Sequence, residues 1–264
     1  MPNKLTSFSP TKIVDYLNCP LLFYFRYILK VKIPTKQIHF IFGSGIHAAI
    51  EGIIHNAKAS NDDKQDVLKM FLSEYQKDKM MDEEKDLYDE YLKLGKSMIK
   101  HYESIHPTLN NLYDLNNGKS ELFIKGHLKN PITGQLSSLP ISGRIDRLTN
   151  SGRIIEYKTA KNKWKEKDVA FKAQTLLYNL WYHTNFGKLP EETVYIILLK
   201  KEPKVGAENY QVLTHNTTTT DLASVWEETE LIFDKINANE FDRPHGWHPP
   251  YCDCYRYAKY LNLE

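Results

Sequence analysis

Apolar positions recur with two different periods along this chain, and the change of period divides it near residue 119. Before that point they fall every three to four residues, the spacing of one helix face. Ser9-Pro10 is a helix-start pair, and Ile13, Tyr16 and Leu17 follow at helical spacing until Cys19-Pro20 breaks the run. LLFYFRYILK then resumes as a second helix or an extended segment dense in aromatics. Gly43-Ser44-Gly45 precedes IHAAIEGIIHNA, where Ile46, Ile50, Ile53 and Ile54 predict a helix with His47 in its first turn. Between about Asp62 and His106, Val67, Met70, Phe71 and Tyr75, then Tyr88, Tyr91, Leu92 and Met98, mark two amphipathic helices.

From Ser120 onward the period shortens. ELFIKGHL, a polar loop at Asn130 to Ser138, LPISGRIDRL and RIIEYKTA predict consecutive antiparallel strands in a meander. Asp168 to Phe186 returns to helix, and TVYIILLK, Thr193 to Lys200, is the continuous apolar run of a strand covered on both faces. A strand around Tyr210 to Leu213 and an amphipathic helix from Thr220 to Asn237 lead into a tail bearing Pro, His and Cys. No internal repeat or long linker interrupts this order. The expected architecture is therefore α/β in one domain, residues 1–264: a mainly helical part (1–118), a sheet with its helix (119–214), and a C-terminal helix and tail (215–264).

Composition adds limits. Apolar residues make up 41% and charged residues 26%, as in ordinary globular proteins. No apolar run approaches the roughly 20 residues of a membrane span, and MPNKLTSFSPTK lacks the apolar stretch of a secretory signal, so an intracellular location is expected. The net charge of +2 does not mark the whole molecule as a polyanion binder. Basic residues do concentrate at Arg26, Lys30, Lys32 and Lys36 and again at Lys158, Lys161, Lys163, Lys165 and Lys167; such runs are solvated faces or a local nucleic-acid surface. Three cysteines, Cys19, Cys252 and Cys254, do not read as a disulfide framework, which leaves reduced thiols or metal ligation.

The strongest chemical signal lies in GRIDRLTNSGRIIEYKT. Asn150, Ser151 and Gly152 form a three-residue hairpin loop, with Gly152 supplying the left-handed conformation. Counting outward from Thr149 and Arg153 sets Asp146 opposite Glu156, their carboxylates on one sheet face, with Lys158 two residues on from the same face. Close carboxylates repel unless a cation or proton sits between them, and hard oxygen ligands suit Mg2+ or Mn2+. A bound cation beside an amine is equipment for phosphodiester hydrolysis. The plainer alternative is three solvated residues on an exposed hairpin. His47 alone reads as a helix-surface or capping residue, and Tyr24, Phe25 and Tyr27 as core or as stacking platforms for bases.

The order of motifs resembles the RecB-type branch of the PD-(D/E)xK nucleases, which includes the CRISPR-adaptation exonucleases. SFSPTKIVDYLNCPLLFYFRY resembles that family's N-terminal segment, GSGIH its G-x3-H element at Gly43 and His47, GRID its aspartate at Asp146, EYKT its E-x-K pair at Glu156 and Lys158, and AQTLLY its Q-x3-Y element at Gln174 and Tyr178. The resemblance implies a restriction-endonuclease-like core with a mixed central sheet flanked by helices, plus a helical N-terminal insertion. It makes Asp146, Glu156 and Lys158 the catalytic centre and His47, Asp146, Glu156 and the Tyr157 backbone carbonyl the ligands of Mg2+ or Mn2+. Gln174 and Tyr178 would line the site or touch the nucleic-acid backbone; otherwise they form a buried helix face.

Many members of that branch join four cysteines around an iron–sulfur cluster. Here Cys19, Cys252 and Cys254 offer three thiols, so no intact cluster is expected. His245 or His248 could stand in as a ligand of zinc or iron. Alternatively Cys19 and Cys252 lie close without metal, within packing by Trp247, Tyr251, Tyr255 and Tyr257. The function expected is a metal-dependent deoxyribonuclease, exonucleolytic on single-stranded or frayed DNA ends in recombination, repair or mobile-element processing. A structure-specific endonuclease and a nonenzymatic nucleic-acid-binding module are the alternatives. The sequence contains no G-x4-G-K-S/T loop, so a helicase, recombinase or adaptation-complex partner would supply any unwinding, in the cytoplasm or, for a phage protein, the host cytoplasm.

Overall fold

The computed structural model describes residues 5–166, 173–201, 209–242 and 252–263. Lys167, the expected helix start at Asp168, and the tail residues His245, Trp247, His248 and Tyr251 lie outside them. Helix α1, Pro10–Asn18, begins where the Ser9 hydroxyl accepts the Lys12 N–H at 3.2 Å. Pro20 holds Cys19 extended, which ends α1 and starts the single turn α2, Pro20–Phe23. A π-helical turn, Tyr24–Ile28, completes the broken helix expected there.

The next helix corrects the sequence reading. Helix α3 spans Ile38–Asn56, so Gly43-Ser44-Gly45 lies inside it and His47 sits near its middle, not in its first turn. Gly45 explains why a weak helix former is tolerated: a Cβ there would come within 2.9 Å of the Phe71 ring. Close packing against α4, Val67–Glu74, outweighs a propensity cost of about 1 kcal/mol. The second amphipathic helix, α5, Tyr88–Tyr113, runs on through Pro107 past the expected end at His106.

Five strands follow in the order β1-β2-β3-β4-β5: Gly118–Gly126, Ile141–Thr149, Ile154–Ala160, Thr193–Leu199 and Tyr210–His215. The first three make the antiparallel meander; β4 then pairs parallel to β3 and β5 antiparallel to β4, so the sheet is mixed. Helix α6, Ala173–Phe186, connects β3 to β4, and α7, Thr219–Asn237, starts from a Thr218–Asp221 capping box. Helix α8, Asp253–Tyr260, closes the described chain.

Two apolar layers cover the sheet. Phe8, Ile13, Leu177, Tyr178, Trp226 and Phe233 pack with Ile145 and Ile154 on one face. On the other, Ile46, Ile50, Phe71, Met98 and Tyr102 pack with Ile155, Tyr157 and Ile196. All of β4 is buried, as a strand covered on both faces requires. The helix–sheet–helix arrangement is the restriction-endonuclease-like α/β architecture with a helical N-terminal part. No helix among the described residues is long and apolar enough to cross a membrane.

Candidate active site

The hairpin between β2 and β3 forms with the expected loop. The Thr149 N–H bonds the Arg153 carbonyl at 3.0 Å, and Gly152 has φ +97°. The Tyr182 hydroxyl would lie 2.5 Å from a Cβ at Gly152, a second reason for glycine. The ladder pairs Leu148 with Ile154 and Arg147 with Ile155, the register counted from the loop, and it ends there, one step short of Asp146 and Glu156.

Regular alternation fails at that step. Ile145 belongs to the layer of α1, α6 and α7, yet Arg147, which strict alternation would put on the same face, lies among Tyr102 and Tyr157 on the other. The inversion is matched on β1: Ser120 pairs with Arg147, Leu122 with Ile145, and between them Glu121 has φ +47°, a left-handed conformation rare for glutamate. Asp146 is thereby released from the ladder. One carboxylate oxygen accepts the Tyr157 N–H at 2.8 Å, and the other lies 3.5 Å from His47 Nδ1 on α3.

Two sub-clusters result, rather than the single carboxylate face expected from a uniform hairpin. In the first, ligating atoms of His47, Glu121 and Asp146 all lie within 4.8 Å of one another. Glu121 comes from β1 and was missed in the sequence, where it is an unremarked acid in ELFIKG; the fourteen-residue connection from Gly126 to Ile141 leaves the β1 register unspecified. In the second, the wholly buried Glu156 accepts from Lys158 Nζ at 2.9 Å and from Gln174 Nε2 at 3.0 Å. Tyr178, one turn beyond Gln174, donates to the Arg144 carbonyl at 2.6 Å and lies in the core, so it ties α6 to β2.

The electrostatics join the sub-clusters. Burial and then the charge of Asp146 push the Glu156 carboxyl up to about 7. Burial opposes the charge of Lys158, but Glu156 and Asp146 outweigh it and hold the amine above its usual range. Burial likewise opposes protonation of His47, yet its hydrogen bond to Asp146 raises it, and the same bond draws Asp146 below the usual carboxylate range against the effect of burial. Burial, then Asp146 and Glu51, raise Glu121, which Arg144 approaches at 3.5 Å.

A divalent cation fits these residues. Glu156 Oε1 is buried without a hydrogen-bond partner, and one imidazole with two carboxylates is a donor set that suits Mg2+ or Mn2+. The site opens into a cleft of about 710 Å3, whose walls include His47, Glu51, Glu121, Arg144, Asp146 and Lys158.

Of the other residues singled out in the sequence, Phe25 is buried and Tyr24 and Tyr27 pack against the core, which favours their structural reading. Lys161, Lys163 and Lys165 are exposed beyond β3. The sulfur atoms of Cys19, Cys252 and Cys254 lie within 4.8 Å of one another, and the Tyr257 ring stacks on Phe25 at 6.0 Å.

A family model described as the PD-(D/E)XK nuclease superfamily matches residues 7–257. The chain is similar to a solved protein from Eubacterium rectale provisionally named an exonuclease, with 13% identity and a TM-score of 0.56 over 95% of this chain and 87% of that one, a likeness of fold. It also aligns with the structure of SSO0001 at 11% identity over 84% of this chain and 82% of that one, with a TM-score of 0.31 that carries no weight. No curated protein matches the chain.

Proposed function

The chain belongs to the PD-(D/E)XK nuclease superfamily, and from that premise we propose that it is a Mg2+- or Mn2+-dependent deoxyribonuclease of the RecB-type branch, exonucleolytic on single-stranded or frayed DNA ends. The observation that carries the reading is the convergence of His47, Glu121 and Asp146 on the floor of an open cleft, beside a buried Glu156–Lys158 pair with one carboxylate oxygen unpartnered.

In this reading His47, Glu121, Asp146 and Glu156, with the Tyr157 carbonyl, hold the cation. When bound, it would supply positive charge against the scissile phosphate and lower the pKa of water there. Lys158 is kept protonated by its two acidic neighbours, so it acts as a fixed positive group that orients the attacking water or stabilises charge building on the phosphate, not as a base. Gln174 holds the Glu156 carboxylate in place, and Tyr178 holds the β2 backbone at Arg144. Because α3 supplies His47 and the sheet supplies the acids, the helical N-terminal part and the sheet form one catalytic unit. Unwinding of duplex DNA is left to a partner helicase, recombinase or adaptation complex.

The test is incubation of end-labelled linear single-stranded, linear duplex and circular DNA with Mg2+, Mn2+ or EDTA. Linear single strands should be degraded in either metal, circles should survive, and EDTA should abolish turnover. Cleavage of circles would replace the exonuclease by an endonuclease. DNA binding without cleavage under any metal would leave only a binding module.

A further inference from the structure

The active-site cleft continues into a second hollow of about 380 Å3, lined among others by Arg26, Lys36, Phe40, Arg256 and Tyr257. Phe40 and Ser44 of α3 border both spaces. Phe40 is 51% exposed where it borders the two hollows, and the His39 ring lies beside it, centroids 4.2 Å apart. Phe40 and His47 are seven residues apart on one helix, hence on nearly the same face and roughly 10 Å apart along the axis.

The charge along this path is polarised. The end around His47 carries Glu51, Glu74, Glu121 and Asp146 against Arg144 and Lys158, whereas the second hollow carries Lys36, Arg26 and Arg256 against Asp253. Arg26 is occupied by Asp15 at 3.0 Å and by Asp253. Arg256 instead donates to the carbonyl and, at 2.9 Å, the hydroxyl of Thr35, neutral acceptors that leave its charge for an anion. Lys36 is exposed at the rim. Isolated apolar side chains are common on protein surfaces. This one separates an acidic end suited to a cation from a basic end suited to phosphate.

We propose that Phe40 is a stacking platform for an unpaired base of the DNA strand whose scissile phosphate lies at the His47 end, with Lys36 and Arg256 taking the phosphates beyond it. The inference rests on the nuclease reading and deepens it. A ring face can stack on an unpaired base but not on one already stacked within a duplex, so the platform itself selects single strands.

The experiment is binding, not cleavage. A single-stranded oligonucleotide carrying 2-aminopurine is titrated in EDTA against the parent protein and Phe40→Ala, Phe40→Trp, Lys36→Ala and Arg256→Ala. Phe40→Ala should weaken binding about 5- to 100-fold, in line with the loss of one base–aromatic stack, and Phe40→Trp should retain it. An abasic residue moved along the strand should reduce parent affinity at one position, and Phe40→Ala should erase that dependence. Each cation variant should reduce the slope of log affinity against log salt by about 0.7. Tight binding by the parent with no change in Phe40→Ala would overturn the platform alone; no binding of any oligonucleotide by the parent would overturn the nuclease reading with it.

Discussion

Among the described residues, two places each bring three metal-ligating side chains within 4.8 Å: His47, Glu121 and Asp146 under the cleft, and Cys19, Cys252 and Cys254 between the broken first helix and α8. They differ in what surrounds them. The thiols pack with Leu22, Phe25 and Ala258, and burial pushes Cys19 and Cys254 up, towards the protonated form. The acids open onto a cleft, adjoin an amine, and border a carboxylate oxygen left without a partner. Convergence of ligands is thus a weak signal; acids gathered under an open cleft beside a cation are the stronger one.

The sharpest way to break this contrast is to remove the fixed amine. Lys158→Ala should lower the cleavage rate by about 100- to 1000-fold or more, as loss of a single group stabilising the transition state does, while DNA binding in EDTA stays within a few-fold of the parent. Equal turnover in an end-labelled assay would deny Lys158 its role. Next in size is the cation. Glu121→Gln and Asp146→Ala should each weaken Mn2+ binding by about 10-fold or more, a loss that even outer-shell changes produce, measured by calorimetric titration. Unchanged affinity in Glu121→Gln would return Glu121 to a strained surface residue paired with Arg144.

A pH series sharpens the comparison further. Glu156 titrates near 7 in the folded protein and near its ordinary value when unfolded, so the folded state binds the extra proton between those limits. Its stabilising contribution is complete below the ordinary carboxylate range and is lost as pH rises through about 7. In EDTA, Tm should therefore fall between pH 5 and 8, and Glu156→Gln should flatten that part of the profile. Mn2+ should restore stability most at the higher pH, because protons on His47 and Glu156 compete with it. A parent profile no steeper than that of Glu156→Gln would contradict the buried charge.

The smallest effects belong to the thiols. Cys254→Ser should leave cleavage and visible absorbance unchanged and cost about 1–3 kcal/mol of stability, the penalty for exchanging a thiol for a more polar hydroxyl in an apolar cluster. Loss of a brown colour or of bound metal would instead make the two clusters alike.

Much of this was legible along the chain. Ser9 before Pro10, extended Cys19 before Pro20, and Gly152 in the hairpin act over a few residues, so their helix start, break and turn could be read directly. The counting that set Arg147 across from Ile155 also depended only on a three-residue loop. Three features could not be read this way. The passage of α3 through Gly45 depends on Phe71, the place of Glu121 on a loop too long to set register, and the face inversion at Asp146 on a matching irregularity in β1.

The sequence by itself determined the element order, the hairpin and the identities of the acid, amide and amine groups, because periodicity and turn chemistry are properties of near neighbours. Only the tertiary structure decided that Glu121 joins His47 and Asp146 while Glu156 turns to Lys158 and Gln174. Those partners lie up to about a hundred residues apart, and their meeting depends on how packed layers and strand registers settle together.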